Sequence, residues 1–195
     1  QGIEYRITHP DGSVRWALSR GYPVRDADGK FYRVVGTTED VTDRKETQDR
    51  LAAAEAHYRL LVENAPYGIY ALDADGRFLE LNPAAESILE CEPGEKIGCH
   101  FSTVIAPESL EVATLGFERV LSGEADHIEF DEWVLQASGR QRLIRVTESA
   151  IRDGDAIVGT HGVARDITDE FHKDRQLRRA ERLASLGTLI GGVAH

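Results

Sequence analysis

The chain has 195 residues, 41% hydrophobic and 29% charged, a balance normal for a soluble globular protein and too apolar for a disordered one. Its net charge of -11 argues against a nucleic-acid surface, which needs clustered cations to release counterions. No apolar run approaches the ~20 residues that span a bilayer.

There is no Met, and the chain opens inside a strand-like pattern, Ile3-Glu4-Tyr5-Arg6-Ile7. This reads as a truncated N-terminus and leaves an upstream membrane-spanning segment open. Residues 1–43 then read as three strands, at about 2–9, 13–25 and 31–40, joined by tight turns at Asp11-Gly12 and Asp28-Gly29. Residues 44–63 are polar with a helical pattern. Leu51, Ala54, Tyr58, Leu61 and Ala65 make an apolar seam, suited either to packing on a sheet or to pairing with another helix.

Two further strands are expected at Tyr67–Leu72 and Arg77–Leu81, around the turn Asp73-Ala74-Asp75-Gly76. Asn82-Pro83 has the form of a helix start, with Pro93-Gly94 as its break. A longer helix is expected from about Pro107 to Leu121, stopping at Ser122-Gly123. Three more strands follow at about 125–136, 140–152 and 155–166, and a helix starts near Ile167. Trp16 and Trp133 sit on these strands and read as packing residues.

The organising feature is an internal repeat. Gly36-Thr37-Thr38-Glu39-Asp40-Val41-Thr42-Asp43 returns 126 positions later as Gly162-Val163-Ala164-Arg165-Asp166-Ile167-Thr168-Asp169. Both copies end a three-strand antiparallel meander where a strand hands over to a helix. Asp40, Thr42, Asp166 and Thr168 therefore fall at equivalent junctions. The plain reading of each is a helix cap. Strands, helices and strands in this order give an α+β domain with a five-stranded antiparallel sheet and helices on one face.

The chain resembles the PAS family of sensory modules. The resemblance rests on Asn64-Ala65-Pro66-Tyr67-Gly68-Ile69, Phe78-Leu79-Glu80-Leu81-Asn82-Pro83-Ala84-Ala85, and the Asp-Ile-Thr ending at Asp166-Ile167-Thr168. It covers about residues 57–169 as one PAS domain, with residues 1–43 resembling the end of a preceding one and 44–63 a helical linker. It implies that the Asp and Thr of each ending also couple the sheet to the helix that follows. It implies too that linker helices pair across a homodimer.

The family's cofactors leave no clear trace. Light-sensing flavin members carry Gly-x-Asn-Cys. This chain has Gly98-Cys99-His100-Phe101, with Phe101 at the cysteine's place. Haem members place a histidine on or just before the long helix, and none occurs between Ile105 and Gly123. His100, His127 and His161 read as surface or core residues, so the PAS ligand is left unknown and no metal is assigned. Cys91 and Cys99 lack metal-type spacing and suit a reducing, cytoplasmic compartment.

The basic run Lys173 to Arg182 reads as a solvated helix face. Beyond it Leu183, Leu186, Ile190 and Val193 follow a 3-4-3 spacing, the a/d seam of a helical bundle, which puts His195 at an outward f position. The step of six from Leu177 to Leu183 interrupts this coiled-coil-type pattern.

Residues 170–195 resemble the start of a histidine-kinase dimerisation and phosphoacceptor domain, through Arg182-Leu183-Ala184-Ser185-Leu186-Gly187 and Gly191-Gly192-Val193-Ala194-His195. The resemblance implies that His195 accepts a phosphoryl group from ATP and passes it to a response-regulator aspartate. No Gly-rich nucleotide loop occurs here, so the segment alone is expected to be inactive. The alternative is a PAS module governing another output, such as a cyclase, a chemoreceptor or a transcription factor.

Overall fold

The structure is a computed structural model that describes residues 2–193, with side chains described through Arg182. It divides into two units, with the division at Leu60/Leu61.

The first unit is the expected meander, β1 (Gly2–Thr8), β2 (Val14–Arg25) and β3 (Phe31–Asp40), paired antiparallel in the order β1-β2-β3. Its turns are closed by aspartates: Asp11 accepts from Ser13 N at 2.9 Å, and Asp26 from Lys30 N at 2.9 Å. Gly12 and Gly29 supply the positive φ these turns need, 85° and 79°. Within this unit Ala17 and Val41 are the buried apolar residues; Ile3, Tyr22, Phe31 and Val34 are exposed. Helix α1 (Thr42–Glu63) follows. Its expected seam is exposed at Leu51, Tyr58 and Leu61, so it is not packed on a sheet.

The second unit is built on a sheet of β4 (Gly68–Asp73), β5 (Phe78–Leu81), β6 (His127–Leu135), β7 (Gln141–Asp153) and β8 (Ala156–Asp166). The order is β5-β4-β8-β7-β6, antiparallel throughout. Helices α2 (Pro83–Leu89) and α3 (Leu110–Leu121), with short 3-10 turns at Phe101–Thr103 and Pro107–Ser109, are inserted between β5 and β6. Strand alternation sends Leu72, Val134, Ile144 and Val146 to a common core with Phe101 and Phe117 from the inserted segment. The α+β class and the five-stranded sheet stand as expected.

Two boundaries differ from expectation. Helix α2 ends at Leu89, well before Pro93, because Glu90 turns left-handed (φ 54°) and the N–H of Cys91 returns to Glu86 O. Helix α3 begins at Leu110 rather than Pro107. The preceding segment is held against the edge of β6 instead: Ala106 N donates to Trp133 O, Trp133 N donates to the buried Ser109 hydroxyl, and Leu135 N donates to Val104 O. These bonds cover an edge that would otherwise be open.

Asn82 anchors the other side. Its carboxamide oxygen accepts from Ala85 N (2.9 Å), capping α2, and from Ile69 N (2.8 Å). Its NH2 donates to Val62 O and Tyr67 O, both at 3.0 Å. One buried side chain thus ties the end of α1, β4 and α2 together. Helix α4 (Thr168–Val193) leaves the sheet after β8.

Candidate functional site

Two features are candidates: the junctions where strands give way to helices, and a cavity inside the second unit. The junctions share four hydrogen bonds and differ in the threonine hydroxyl's own donation, to Asp40 in the first unit (2.6 Å) and toward Leu143 O in the second (3.5 Å). In the second unit the β7–β8 ladder closes at Ile144 and Asp166. The next residue, Leu143, is paired by the helix: Ile167 N donates to its carbonyl at 2.9 Å, and its own N–H donates to the Thr168 hydroxyl at 2.9 Å. Asp166 accepts from Thr168 N at 2.9 Å and from the Arg142 guanidinium at 3.1 Å. In the first unit Val41 N donates to Trp16 O, Trp16 N to the Thr42 hydroxyl, Thr42 N to Asp40, and Arg15 to Asp40, at 2.8, 2.9, 2.9 and 2.8 Å.

The structure therefore brings Asp40 together with Thr42, and Asp166 with Thr168. It divides their work. The aspartate satisfies a free donor of the helix's first turn. The threonine does not cap its helix; it continues the sheet ladder. The Thr42 hydroxyl, and then the Arg15 guanidinium, hold the Asp40 carboxyl well below the usual carboxylate range. Arg15 and Arg142 are the partners that sequence reading missed. Their signal was in the repeat, since each arginine stands three residues beyond its turn glycine, Gly12 or Gly139.

The face of β6 and β7 away from the main core carries the start of α4. Trp133 stands edge-on to Phe171 with centroids 5.7 Å apart. In the first unit Lys45, at the position equivalent to Phe171, lies 5.4 Å from the ring of Trp16. Both tryptophans are thus packing residues at the foot of an exit helix.

The cavity, of about 50 Å³, lies between the sheet and the inserted helices. Phe78, Phe101, Phe117, Leu72 and Val134 contribute apolar walls. Glu132 and Glu148 also line it, 5% and 2% exposed. Glu148 accepts from the Thr160 hydroxyl at 2.6 Å, whereas Oε2 of Glu132 has no hydrogen-bond partner among the described residues. Burial, and then the neighbouring Glu148, push Glu132 up to about 8. Burial also raises Glu148, against the opposing Thr160 bond. Tyr70 completes the set. Its ring crosses Gly162, where an added Cβ would meet Cζ at 2.2 Å. Burial and then the charges of Glu148 and Glu132 lift its phenol well above the ordinary value.

Sequence reading missed both glutamates. The signal was a break in alternation. Ile128, Phe130, Glu132 and Val134 share one face of β6, and Ile144, Val146 and Glu148 share one face of β7.

His195 lies outside the described residues, and so do the side chains of Leu183, Leu186, Ile190 and Val193. Cys91 and Cys99 are free thiols. Among the described residues no group of His, Cys, Asp and Glu could hold a metal ion, and no helix is long and apolar enough to cross a membrane.

Comparison with known proteins agrees with this architecture. A family model described as PAS fold matches residues 62–171, and a second PAS-fold model matches residues 2–38. The two-component sensor PprA of Pseudomonas aeruginosa is 28% identical over 98% of this chain and 21% of its own length. The signal transduction histidine-protein kinase AtoS of Escherichia coli is 32% identical over 70% of this chain and 22% of its own. The chain thus spans about a fifth of these curated relatives. Among solved structures, the PAS domain of a Colwellia psychrerythraea protein has a TM-score of 0.55 at 18% identity, over 60% of this chain and 98% of that one. A PAS domain of an HTR-like protein from Haloarcula marismortui gives 0.52 at 22% identity, over 63% and 99%.

Proposed function

The chain belongs to the PAS family, and from that premise we propose that it is the sensing and relay segment of a two-component sensor histidine kinase, with His195 as the phosphoacceptor. One observation carries this reading. The likeness to a two-component sensor extends over 98% of the chain, past residue 171 where the PAS-fold match ends, and so into the helix that leads toward His195.

In the parent protein the imidazole of His195 attacks the γ-phosphorus of ATP. An N–P bond forms, the bond to the β-phosphate oxygen breaks, ADP leaves, and a base takes the imidazole proton. A response-regulator aspartate then receives the phosphoryl group. Such chemistry depends on positioning and charge stabilisation, which a sensor can govern by moving a helix. The second unit supplies the lever. Cavity residue Glu148 and junction residue Leu143 lie on the same strand, β7, and the junction seats α4. A change in the cavity that shifts β7 alters how α4 leaves the sheet. The first unit repeats the junction at α1, whose exposed seam and α4 pair across a homodimer. The segment works on the cytoplasmic side, whether or not its parent is anchored in a membrane.

The test is labelling of the full-length parent protein with γ-labelled ATP. Acid-labile label is expected in wild type and absent in His195→Gln. Equal label in both sinks the phosphoacceptor assignment. No label in either, with the kinase substrate ATP bound to neither, favours a different output.

A further inference from the structure

The cavity holds two acids with no base to match them. Tyr70, Glu132 and Glu148 are its titratable lining groups among the described residues. Among the described residues no Lys, Arg or His lines it, and none of the titratable groups comes from the helices that cover it. Glu148 has Thr160 for a partner. Glu132 does not: it is 5% exposed, its Oε2 is unpartnered, and it lines the cavity. A buried polar atom left in this state costs free energy that a ligand able to donate a hydrogen bond recovers.

We infer that the cavity is a binding site for a small aliphatic ammonium ion, with Glu132 as its ion-pair partner and Glu148 as the second carboxylate. This rests on the reading of the domain as a sensor and names the chemistry of what it senses.

Three observations favour a cation over a neutral or acidic molecule. Among the described residues no Lys, Arg or His lines the cavity to balance an anion, whereas either carboxyl can ionise to balance a cation. The walls are aromatic, with Phe101 and Phe117 centroids 5.3 Å apart and Tyr70 edge-on to Phe78 at 6.0 Å, and ring faces attract ammonium groups. The remaining lining is aliphatic and suits a short alkyl tail. Size is bounded too. At ~10–15 Å³ of such volume for each water-sized group, the cavity has room for about three to five non-hydrogen atoms.

The protonation of Glu132 fits the same account. With no cation beside it, burial and Glu148 keep its carboxyl protonated near neutral pH. An ammonium ion favours the ionised form, so binding releases a proton. The structure thus links ligand entry to a charge change on β6 beside the strand that seats α4.

The probes are n-propylammonium, n-propanol and propionate, which share size and differ in charge. Each is titrated into the 195-residue chain, with binding followed by calorimetry in two buffers of different ionisation enthalpy. Propylammonium is expected to bind at least tenfold tighter than propanol, with no binding of propionate. At pH 7 about one proton should be released per ion bound. Glu132→Gln should weaken propylammonium at least tenfold and abolish the proton release, while leaving propanol within twofold. That variant keeps the side-chain volume, and circular dichroism checks its fold. Equal affinity for propanol and propylammonium, tighter binding of propionate, or an unchanged affinity in folded Glu132→Gln overturns the site. If propylammonium binds as stated but leaves His195 labelling of the full-length protein unchanged, the site stands and its coupling to the kinase falls; if His195 takes no label with or without the ion, the site stands and the sensor-kinase reading falls.

Discussion

Leu143 gives its backbone N–H to the hydroxyl of Thr168 at 2.9 Å, so a residue of the exit helix takes the place of a sheet strand. The same bond joins Trp16 to Thr42. At both junctions the threonine hydroxyl accepts from the sheet, while the aspartate two residues earlier accepts from the first helical N–H.

Thr168→Val tests that bond. Valine keeps the shape and removes the acceptor, leaving the N–H of buried Leu143 unpaired. An unpaired buried donor costs about 1–3 kcal/mol. Urea denaturation should show a loss in that range, with fast amide exchange at Leu143. Thr168→Ser should lie within ~1 kcal/mol of wild type. The matching Thr42→Val should cost less, since Trp16 and Thr42 are half-buried and water can replace the hydroxyl. A silent Thr168→Val removes the hydroxyl from the account of the junction.

Arg142→Ala separates coupling from stability. Its guanidinium meets Asp166 with both side chains about a third exposed, 36% and 32%. Such pairs contribute about 0–1 kcal/mol, so the unfolding midpoint should move little. The ion pair nevertheless fixes the aspartate that holds the first turn of α4. Histidine labelling of the full-length protein should therefore change severalfold, in either direction. Unchanged labelling together with unchanged stability makes the ion pair a bystander.

Asn82→Ala should be among the most damaging single changes. It removes the cap of α2 and the acceptor of Ile69 N, and it strands the carbonyls of Val62 and Tyr67. A cap and one further buried polar bond together suggest a loss of about 2–4 kcal/mol. Asn82→Asp keeps both acceptor bonds but turns a carboxylate toward two carbonyls. It should recover only part of the loss, by urea denaturation at pH 7. Full recovery shows that the NH2 bonds contribute nothing.

Asn82 also marks what the sequence makes legible. Asn-Pro ahead of an apolar run announces a helix start from local chemistry alone, and the Asp-Gly turns announce the hairpins in the same way. The end of α2 could not be read so, because Glu90 adopts φ 54° without glycine's help. It is held by a returning N–H and by an ion pair with Arg140, fifty residues away. The junctions were half legible. The repeat exposed Asp and Thr, but their meeting with Arg15 and Arg142 depends on which strands are neighbours. The cavity acids were the least legible, since a glutamate in a strand reads as solvent-facing until the register is known. The alternation of Ile128, Phe130, Glu132 and Val134 held that information. It becomes decisive only once β6 is seen to pair with β7 and to turn this face inward.

The last prediction concerns that face and pH. Glu132 titrates at about 8 in the folded protein, against 4.5 as its ordinary value. Between these values the folded state keeps a proton that the unfolded chain has lost. The stability linked to Glu132 is therefore complete below about pH 4.5, declines as pH rises, and is gone once pH has passed through 8. Glu132→Gln mimics the protonated form at every pH. At pH 5 it should match wild type within ~1 kcal/mol. At pH 7.5 it should be more stable by about 4 kcal/mol, from some three pH units above 4.5 at about 1.4 kcal/mol each. Glu148 is raised by the same burial, so the variant keeps a shallower slope of the same sign. Urea denaturation of both proteins from pH 5 to pH 8 measures the difference directly, with titrating groups remote from the cavity cancelling. Parallel stability curves across that range would mean that Glu132 ionises freely in the folded protein. A propylammonium ion held beside Glu132 should flatten the wild-type slope, because the ion pair supplies the charge that the cavity otherwise lacks.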